Sequence, residues 1–320
     1  MSFLFLLNQK ELELAVCEAK AVVFKWGWWR HHERPTGGVL LLPSERARDT
    51  RFRDAPPGLS HRAVNVIASC PRGNLRTTMA ALPWHRILKK KTYLVRLTDD
   101  AKTSPLSERE CANVIIASYP GHADLDAPNT IIDIVVVGDT AYIGLRLWEQ
   151  SERFEGRRAH LLPQMHPSMM HPAIARAIVN ISCARKVHDP FCGAGGLLLE
   201  AGLAGRHASG ADIESSMLTK ARQNCSKFGL HPLLRIADAT VWLPRTQAIV
   251  TDMPYGKNTK PVALSVLFEA FLHRAAQSTR RVVVGLPIAL PIPSGWVLRA
   301  HMTSYVHKSM TKHFYALERE

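Results

Sequence analysis

Two runs place acids and glycines where a ligand could meet the backbone. Lys186-Val187-His188-Asp189-Pro190-Phe191-Cys192-Gly193-Ala194-Gly195-Gly196 reads as a short strand ending in an acid, a glycine-rich turn, and a helix opening at Leu197. Glycine accepts backbone angles that other residues avoid and lets a ligand approach the main chain. The helix behind it offers free N–H groups and the positive end of its dipole. A strand, glycine loop and helix are shared by phosphate- and dinucleotide-binding folds, so this run alone does not separate them. The second run, Ala248-Ile249-Val250-Thr251-Asp252-Met253-Pro254-Tyr255-Gly256, is another apolar strand ending in an acid. Between them His207 to Ile213 reads as a strand ending near Asp212, 19 residues beyond Gly193. That is where a nucleotide-binding sheet places the acid that hydrogen-bonds ribose hydroxyls. Leu233 to Ile236 is a further strand, and Asp238 just after it could meet an adenine amine. One strand-end aspartate is common; four in order point to a ligand site at the strand C-termini.

The elements that must hold these acids follow from periodicity. His171-Pro172 opens a helix with proline in its first turn and Ile174, Ala177, Ile178 and Ile181 on one side. Met217 to Phe228 reads as the helix after Asp212, and Arg281 to Gly285 as a fifth strand. Trp296 to His301 and His313 to Leu317 supply a final antiparallel pair. Upstream, Phe3 to Leu7, Gly38 to Leu42, Ala63 to Cys70 and Thr92 to Leu97 read as strands. Gln9 to Val23 carries a helical apolar stripe at Leu12, Ala15, Val16, Ala19 and Val23. Ser107 starts a helix that Pro120-Gly121 stops. Thr130 to Val137 and Thr140 to Leu147, joined by Gly138-Asp139, read as a hairpin. Trp148 to Pro172 is polar and proline-bearing, as a connection between domains would be.

The chain has 320 residues, 46% of them apolar and 21% charged, the composition of a globular protein with room for about two domains. No apolar run approaches the roughly 20 residues that cross a bilayer, so no membrane partner is expected. Ser2 to Leu7 is apolar but short and lacks a basic leader, which favours a first strand over a secretory signal. Cys17, Cys70, Cys111, Cys183, Cys192 and Cys225 show no paired spacing, as expected of free thiols in a reducing, cytoplasmic setting. The 15 histidines form no ligand set, and no metal site is expected. The net charge of +14 is uneven. Residues 30–96 carry 14 basic against 4 acidic groups, residues 97–159 carry 6 against 11, and residues 160–320 carry 18 against 9. Two basic regions flanking an acidic one suit a nucleic-acid surface. Trp26, Trp28 and Trp29 beside Arg30 and His31 could stack on bases, although covering a small core is the preferred reading. Lys89, Lys90 and Lys91 are candidate phosphate contacts or a solvated turn. Arg153, Arg157 and Arg158 could grip phosphate.

Beyond these local readings lies a resemblance. Tyr93 to Leu97 together with LDAPNTIIDIVVVGDTAYIGLRL (125–147) resembles the THUMP module of RNA-modifying enzymes, which implies tRNA binding through the 3′ acceptor end. MMHPAIARAIVN, DPFCGAGGLLLEAGLAG, GADIESSMLTKARQN, TDMPYGK and the tail VHKSMTKHFYALE resemble the THUMP-containing tRNA guanine-N2-methyltransferases, the archaeal and eukaryotic group acting on guanine at position ten. The resemblance implies an α/β, Rossmann-like class I methyltransferase with a mixed seven-stranded sheet, preceded by an α+β ferredoxin-like and THUMP region. Its expected divisions are 1–90 (ferredoxin-like), 91–150 (THUMP), 151–170 (linker) and 171–320 (methyltransferase). It also implies that Asp189, Phe191 and the Gly193, Gly195, Gly196 turn hold the methionine part of S-adenosylmethionine. Asp212 and Ile213 would hold its ribose, Asp238 and Ala239 its adenine. Asp252, Met253, Pro254 and Tyr255 would form the amino-methylating motif. The implied partners are tRNA and, left open, a small zinc-binding activator subunit. The family usually has proline where this chain has Met253.

The chemistry asks for these residue types. The exocyclic amine of guanine is a poor nucleophile because its lone pair is delocalised into the ring. A carboxylate at Asp252 and a main-chain carbonyl at Met253 can accept its two hydrogens and turn the lone pair outward, and Asp252 can take the released proton. Tyr255 can stack on the base, and holding both reactants in line supplies much of the acceleration. A base inside a stem must be unpaired or flipped to enter. The same motif serves DNA adenine or cytosine amino-methylation, which needs no tRNA-end module. A catalytically inactive RNA-binding protein is the competing class, with Met253 its only support.

Overall fold

A computed structural model describes residues 2–43, 55–120, 122–254, 261–307 and 310–320. The chain divides into two compact units and passes between them repeatedly. The first comprises Met1–Leu7, Glu33–Asp49 and Ser60–Gln150; the second comprises Asn8–His32, Thr50–Leu59 and Ser151–Glu320.

In the first unit, β1 (Ser2–Leu7), β2 (Val39–Pro43), β3 (Ser60–Pro71), β4 (Tyr93–Thr98), β5 (Thr130–Val137) and β6 (Thr140–Glu149) form one sheet in the order β2-β1-β3-β6-β5-β4. It takes strands from both the 1–90 and the 91–150 stretches. Phe3, Leu4 and Phe5 of β1, which pairs with β2 and β3, are all buried, and a strand covered on both faces reads as an unbroken apolar run. Gly138, with φ +57°, makes the β5–β6 turn. Against the sheet and its core lie the short helices at Leu75–Ala81 and Trp84–Leu88 and a longer one at Glu108–Ser118. The last is closed by a reciprocal cap, in which the Glu110 N–H donates to Ser107 Oγ at 3.3 Å and the Ser107 N–H to Glu110 Oε2 at 2.8 Å. The buried Asp133 carboxylate is met by Arg62 at 2.8 Å and Arg146 at 2.7 Å.

The second unit is built on a mixed seven-stranded sheet, as expected from the sequence. Its strands are β7 (Lys186–Asp189), β8 (His207–Asp212), β9 (Leu233–Ile236), β10 (Ala248–Asp252), β11 (Arg281–Leu286), β12 (Trp296–His307) and β13 (Met310–Arg319), in the order β12-β13-β11-β10-β7-β8-β9. The five from β11 to β9 run parallel, and β13 is antiparallel to both its neighbours. Numbered in chain order, the helices of this unit are α1 (Leu12–Phe24), then, after the three of the first unit (α2 to α4), α5 (Pro172–Ile181), α6 (Gly196–Leu203), α7 (Ser215–Ser226) and α8 (Pro261–Ala275). The strand order reverses between β7 and β10, the crevice where open α/β sheets bind ligands. Phe268, Phe271 and Leu272 of α8 pack with Val282, Val284 and Tyr315 to make the main core there.

Trp28 is buried, the Trp26 indole N–H donates to Glu318 Oε1 at 2.9 Å, and Arg299 lies 5.4 Å from the Trp29 ring. The tryptophans therefore cover a core. Among the described residues no helix is long and apolar enough to cross a membrane.

Candidate active site

The carboxyl ends of β7, β8 and β10 open into one cavity of about 470 Å³. It is lined by eleven residues singled out in the sequence: Asp189, Phe191, Gly193, Gly196, Asp212, Ile213, Asp238, Ala239, Asp252, Met253 and Pro254. Tyr255 lies outside the described residues. Gly195 does not line the cavity. Its φ is +87°, and an added Cβ would stand 3.0 Å from the Cα of Ala221, so it lets α7 approach the loop closely.

The acids differ in their surroundings. Asp189 is buried and accepts from the Thr251 hydroxyl at 2.6 Å and the Phe191 N–H at 3.2 Å. Burial pushes its carboxyl up to about 7 against those hydrogen bonds, and the charges of Asp252 and Asp212 add to the rise. Asp212 ties the glycine loop to β8, accepting from the Gly193 N–H at 2.9 Å and the Glu214 N–H at 3.0 Å. Asp238 accepts from the Thr240 N–H at 2.8 Å and its hydroxyl at 2.7 Å, which fixes the turn after β9. An added Cβ at Gly193 would meet nothing within 4 Å, so the loop leaves open space beside the main chain.

Asp252 has two unlike oxygens. Oδ2 accepts from Lys312 Nζ at 2.6 Å, in a pair whose side chains are 15% and 5% exposed. Oδ1 is buried and has no hydrogen-bond partner among the described residues. Burial raises this carboxyl above the usual range, and the Lys312 charge and hydrogen bond pull it back. Gly285 sits opposite in the β10–β11 register, and an added Cβ there would come within 2.7 Å of Oδ1. The Met253 N–H donates to the Gly285 carbonyl at 3.0 Å, and the Met253 side chain is fully buried in the α8 core. Core packing thus holds this turn where a proline ring would stiffen it.

Several contributors escaped the sequence reading. Lys312 belongs to β13, and its only signal was register, since it shares a sheet face with the buried Phe314 and Ala316. His166, Ser168, Met169 and Met170, expected in a linker, line the cavity. Asn224 holds their segment, accepting from the Gln164 N–H at 2.9 Å and donating to the Gln164 and Ala194 carbonyls at 3.0 and 2.9 Å.

The cations expected on phosphate separate. Lys89, Lys90 and Lys91 are exposed in the first unit, Lys89 and Lys90 with left-handed φ of 48° and 66°. Arg153 is exposed. Arg158 is half-exposed and pairs with Glu155 at 2.8 Å. Arg157 corrects the expectation: it is buried, with its guanidinium on Glu200 at 2.7 Å and Glu152 at 3.0 Å. It neutralises a buried carboxylate and is not offered to solvent. No group of three or more His, Cys, Asp or Glu suited to a metal occurs among the described residues.

The strand order, with acids at its switch point, defines a class I S-adenosylmethionine-dependent methyltransferase. The family model of UPF0020, described as RMKL-like, methyltransferase domain, matches residues 160–287. A tRNA (guanine(10)-N2)-dimethyltransferase of Pyrococcus abyssi is 32% identical over 262 residues, 74% of this chain and 77% of that one. A second, of Methanothermobacter thermautotrophicus, is 27% identical over the full length of both chains. The crystal structure of TrmN from Thermus thermophilus shares the fold, with TM-score 0.53 and 21% identity over the whole of both chains. The chain belongs to the tRNA (guanine(10)-N2)-dimethyltransferase family. Neither an inactive RNA binder nor a DNA amino-methyltransferase is favoured by these likenesses.

Proposed function

We propose that the chain methylates the exocyclic N2 of a guanine in tRNA, at position ten as its relatives' names state, with S-adenosylmethionine as donor. The observation that carries this is the unpartnered Asp252 Oδ1 at the tip of β10. A buried carboxylate oxygen without a donor is costly, and Asp252, which lines the cavity, would turn it outward to accept from an amine N–H bound there. Asp252 then orients the nitrogen and accepts the proton it sheds. The Met253 carbonyl, one peptide beyond the N–H anchored on Gly285, takes the second hydrogen. The Lys312 charge and hydrogen bond favour the ionised form of Asp252 against its burial. Gly285 leaves room for the carboxylate.

The residues present fit the donor. Asp189, Asp212, Glu214, Asp238 and Asp252 all line the cavity, a concentration of negative charge suited to a cationic ligand. Asp189 and the Gly193–Gly196 loop, with Phe191, would hold the amino-acid end, Asp212 and Ile213 the ribose, Asp238 and Ala239 the base. When bound, the donor supplies a methyl group made electrophilic by a positively charged sulfur. The first unit, with exposed Lys89, Lys90 and Lys91, is proposed as the ferredoxin-like and THUMP part that grips the RNA. Incubating the protein with labelled donor and an unmodified tRNA transcript, then digesting to nucleosides, tests the reading. Label in N2-methylguanosine or its dimethyl form at position ten is expected. Label on adenine or cytosine, or none, overturns it.

A further inference from the structure

A second cavity lies at the opposite end of the same strands. Arg185 stands just before β7, Arg206 just before β8, Arg280 and Arg281 at the start of β11, and Lys25 just after α1; together they line a recess of about 580 Å³. No carboxylate among the described residues lines it. Lys25, Arg185 and Arg280 are exposed, and no ion pair among the described residues engages them. The nearby Glu318 is already committed, to Trp26 through one oxygen at 2.9 Å and to Arg299 through the other at 2.7 Å.

Helix ends do not account for so much charge. The C-termini of α1 and α5 reach the recess through Val22 and Cys183, and each offers about half a negative charge. Lys25, Arg185 and Arg280 alone, against about one negative charge from the helix ends, leave an excess of about two positive charges. Arg281 lies over the Trp26 ring at 4.7 Å; burial lowers its proton affinity, Cys183 and Glu318 offset part of that, and the neighbouring Arg280 adds to the fall. An anion bound between these side chains would relieve that repulsion, and guanidinium groups match phosphate oxygens in pairs.

We propose that this recess binds backbone phosphate of the same RNA whose base enters the acid-lined cavity, an inference that rests on the tRNA reading above. The cations come from separate chain segments around a space larger than one phosphate fills, which suits a strand with repeated charges. From Arg185 to Asp189 the strand rises roughly 13 Å at about 3.3 Å per residue, so one folded RNA spans both ends of the sheet.

The test is the full-length triple variant Lys25→Gln, Arg185→Gln, Arg280→Gln, titrated with unmodified tRNA transcript over a range of salt. Affinity should fall about tenfold or more near 0.15 M salt, and the slope of log affinity against log salt should flatten by about two to three. Its melting temperature and its affinity for S-adenosylmethionine should match the parent's. Parental tRNA affinity and slope in the variant would overturn the proposal. So would pyrophosphate binding that the variant loses while its tRNA affinity stays parental, which would assign the recess to a free polyphosphate. Failure of the tRNA reading looks different: the parent protein itself would neither bind nor methylate the transcript.

Discussion

At the scale of residues, the division of labour between the two oxygens of Asp252 makes two predictions. Asp252→Asn should lower turnover by roughly 10²-fold or more, the share a positioned base contributes, with donor affinity by calorimetry nearly unchanged. A parallel loss of both would move Asp252 from the reacting amine to the donor. Lys312→Met removes the charge that holds Asp252 down. Its carboxyl then rises further, so the acidic limb of the turnover–pH profile should shift to higher pH, and Lys312→Arg should restore it. Asp189 offers a third. Its folded carboxyl sits at about 7, above its ordinary value of 3.8, so the native state binds the extra proton between those limits. That contribution to stability is present at low pH and is lost as pH rises through about 7. Asp189→Asn should therefore gain more melting temperature relative to the parent at pH 8 than at pH 5, and none at pH 3. A cationic donor reverses the sense, and its affinity for the parent should rise with pH up to about 7 and then level off.

Among elements, the strand tips were the legible part. Asp189, Asp212 and Asp252 each end a strand and Asp238 follows one by two residues, a pattern readable without any partner. The four acids share one cavity because parallel strands of one sheet deliver their C-termini to one side. What was illegible depends on partners far along the chain. Lys312 meets Asp252 across 60 positions, and nothing local marks a lysine in an edge-proximal strand as buried. The 160s read as a connection because polar, proline-bearing composition says loop, whereas the Asn224 clamp that seats them beside the glycine loop is a tertiary contact. Arg157 looked like a free cation for the same reason. Gly285 was read only as the end of a strand. Gly285→Ala should drop turnover sharply, because its Cβ would press on Asp252 Oδ1 and stand 3.0 Å from the Phe314 ring. The cost in stability should be about 1–3 kcal/mol, the usual range for overpacking, measured by urea titration.

On the scale of the whole molecule, charge separates the two chemistries. The cavity at the strand tips gathers carboxylates, while the overall excess of +14 attracts polyanions. Reversing Lys89, Lys90 and Lys91 to glutamate should weaken tRNA binding and flatten its salt dependence; an unchanged slope would remove that turn from the RNA surface.

The interleaving of the chain has a practical corollary. Helix α1 precedes most of the first unit in sequence yet belongs to the second, where Glu18 accepts from the Asn180 amide at 2.8 Å and Glu13 from the Thr303 N–H at 2.7 Å. A cut after Gln150 would strip these carboxylates from groups that need them. The transferase half is therefore no detachable cassette. A fragment starting at Ser151 should precipitate or melt early, and supplying residues 1–150 as a separate polypeptide should rescue it.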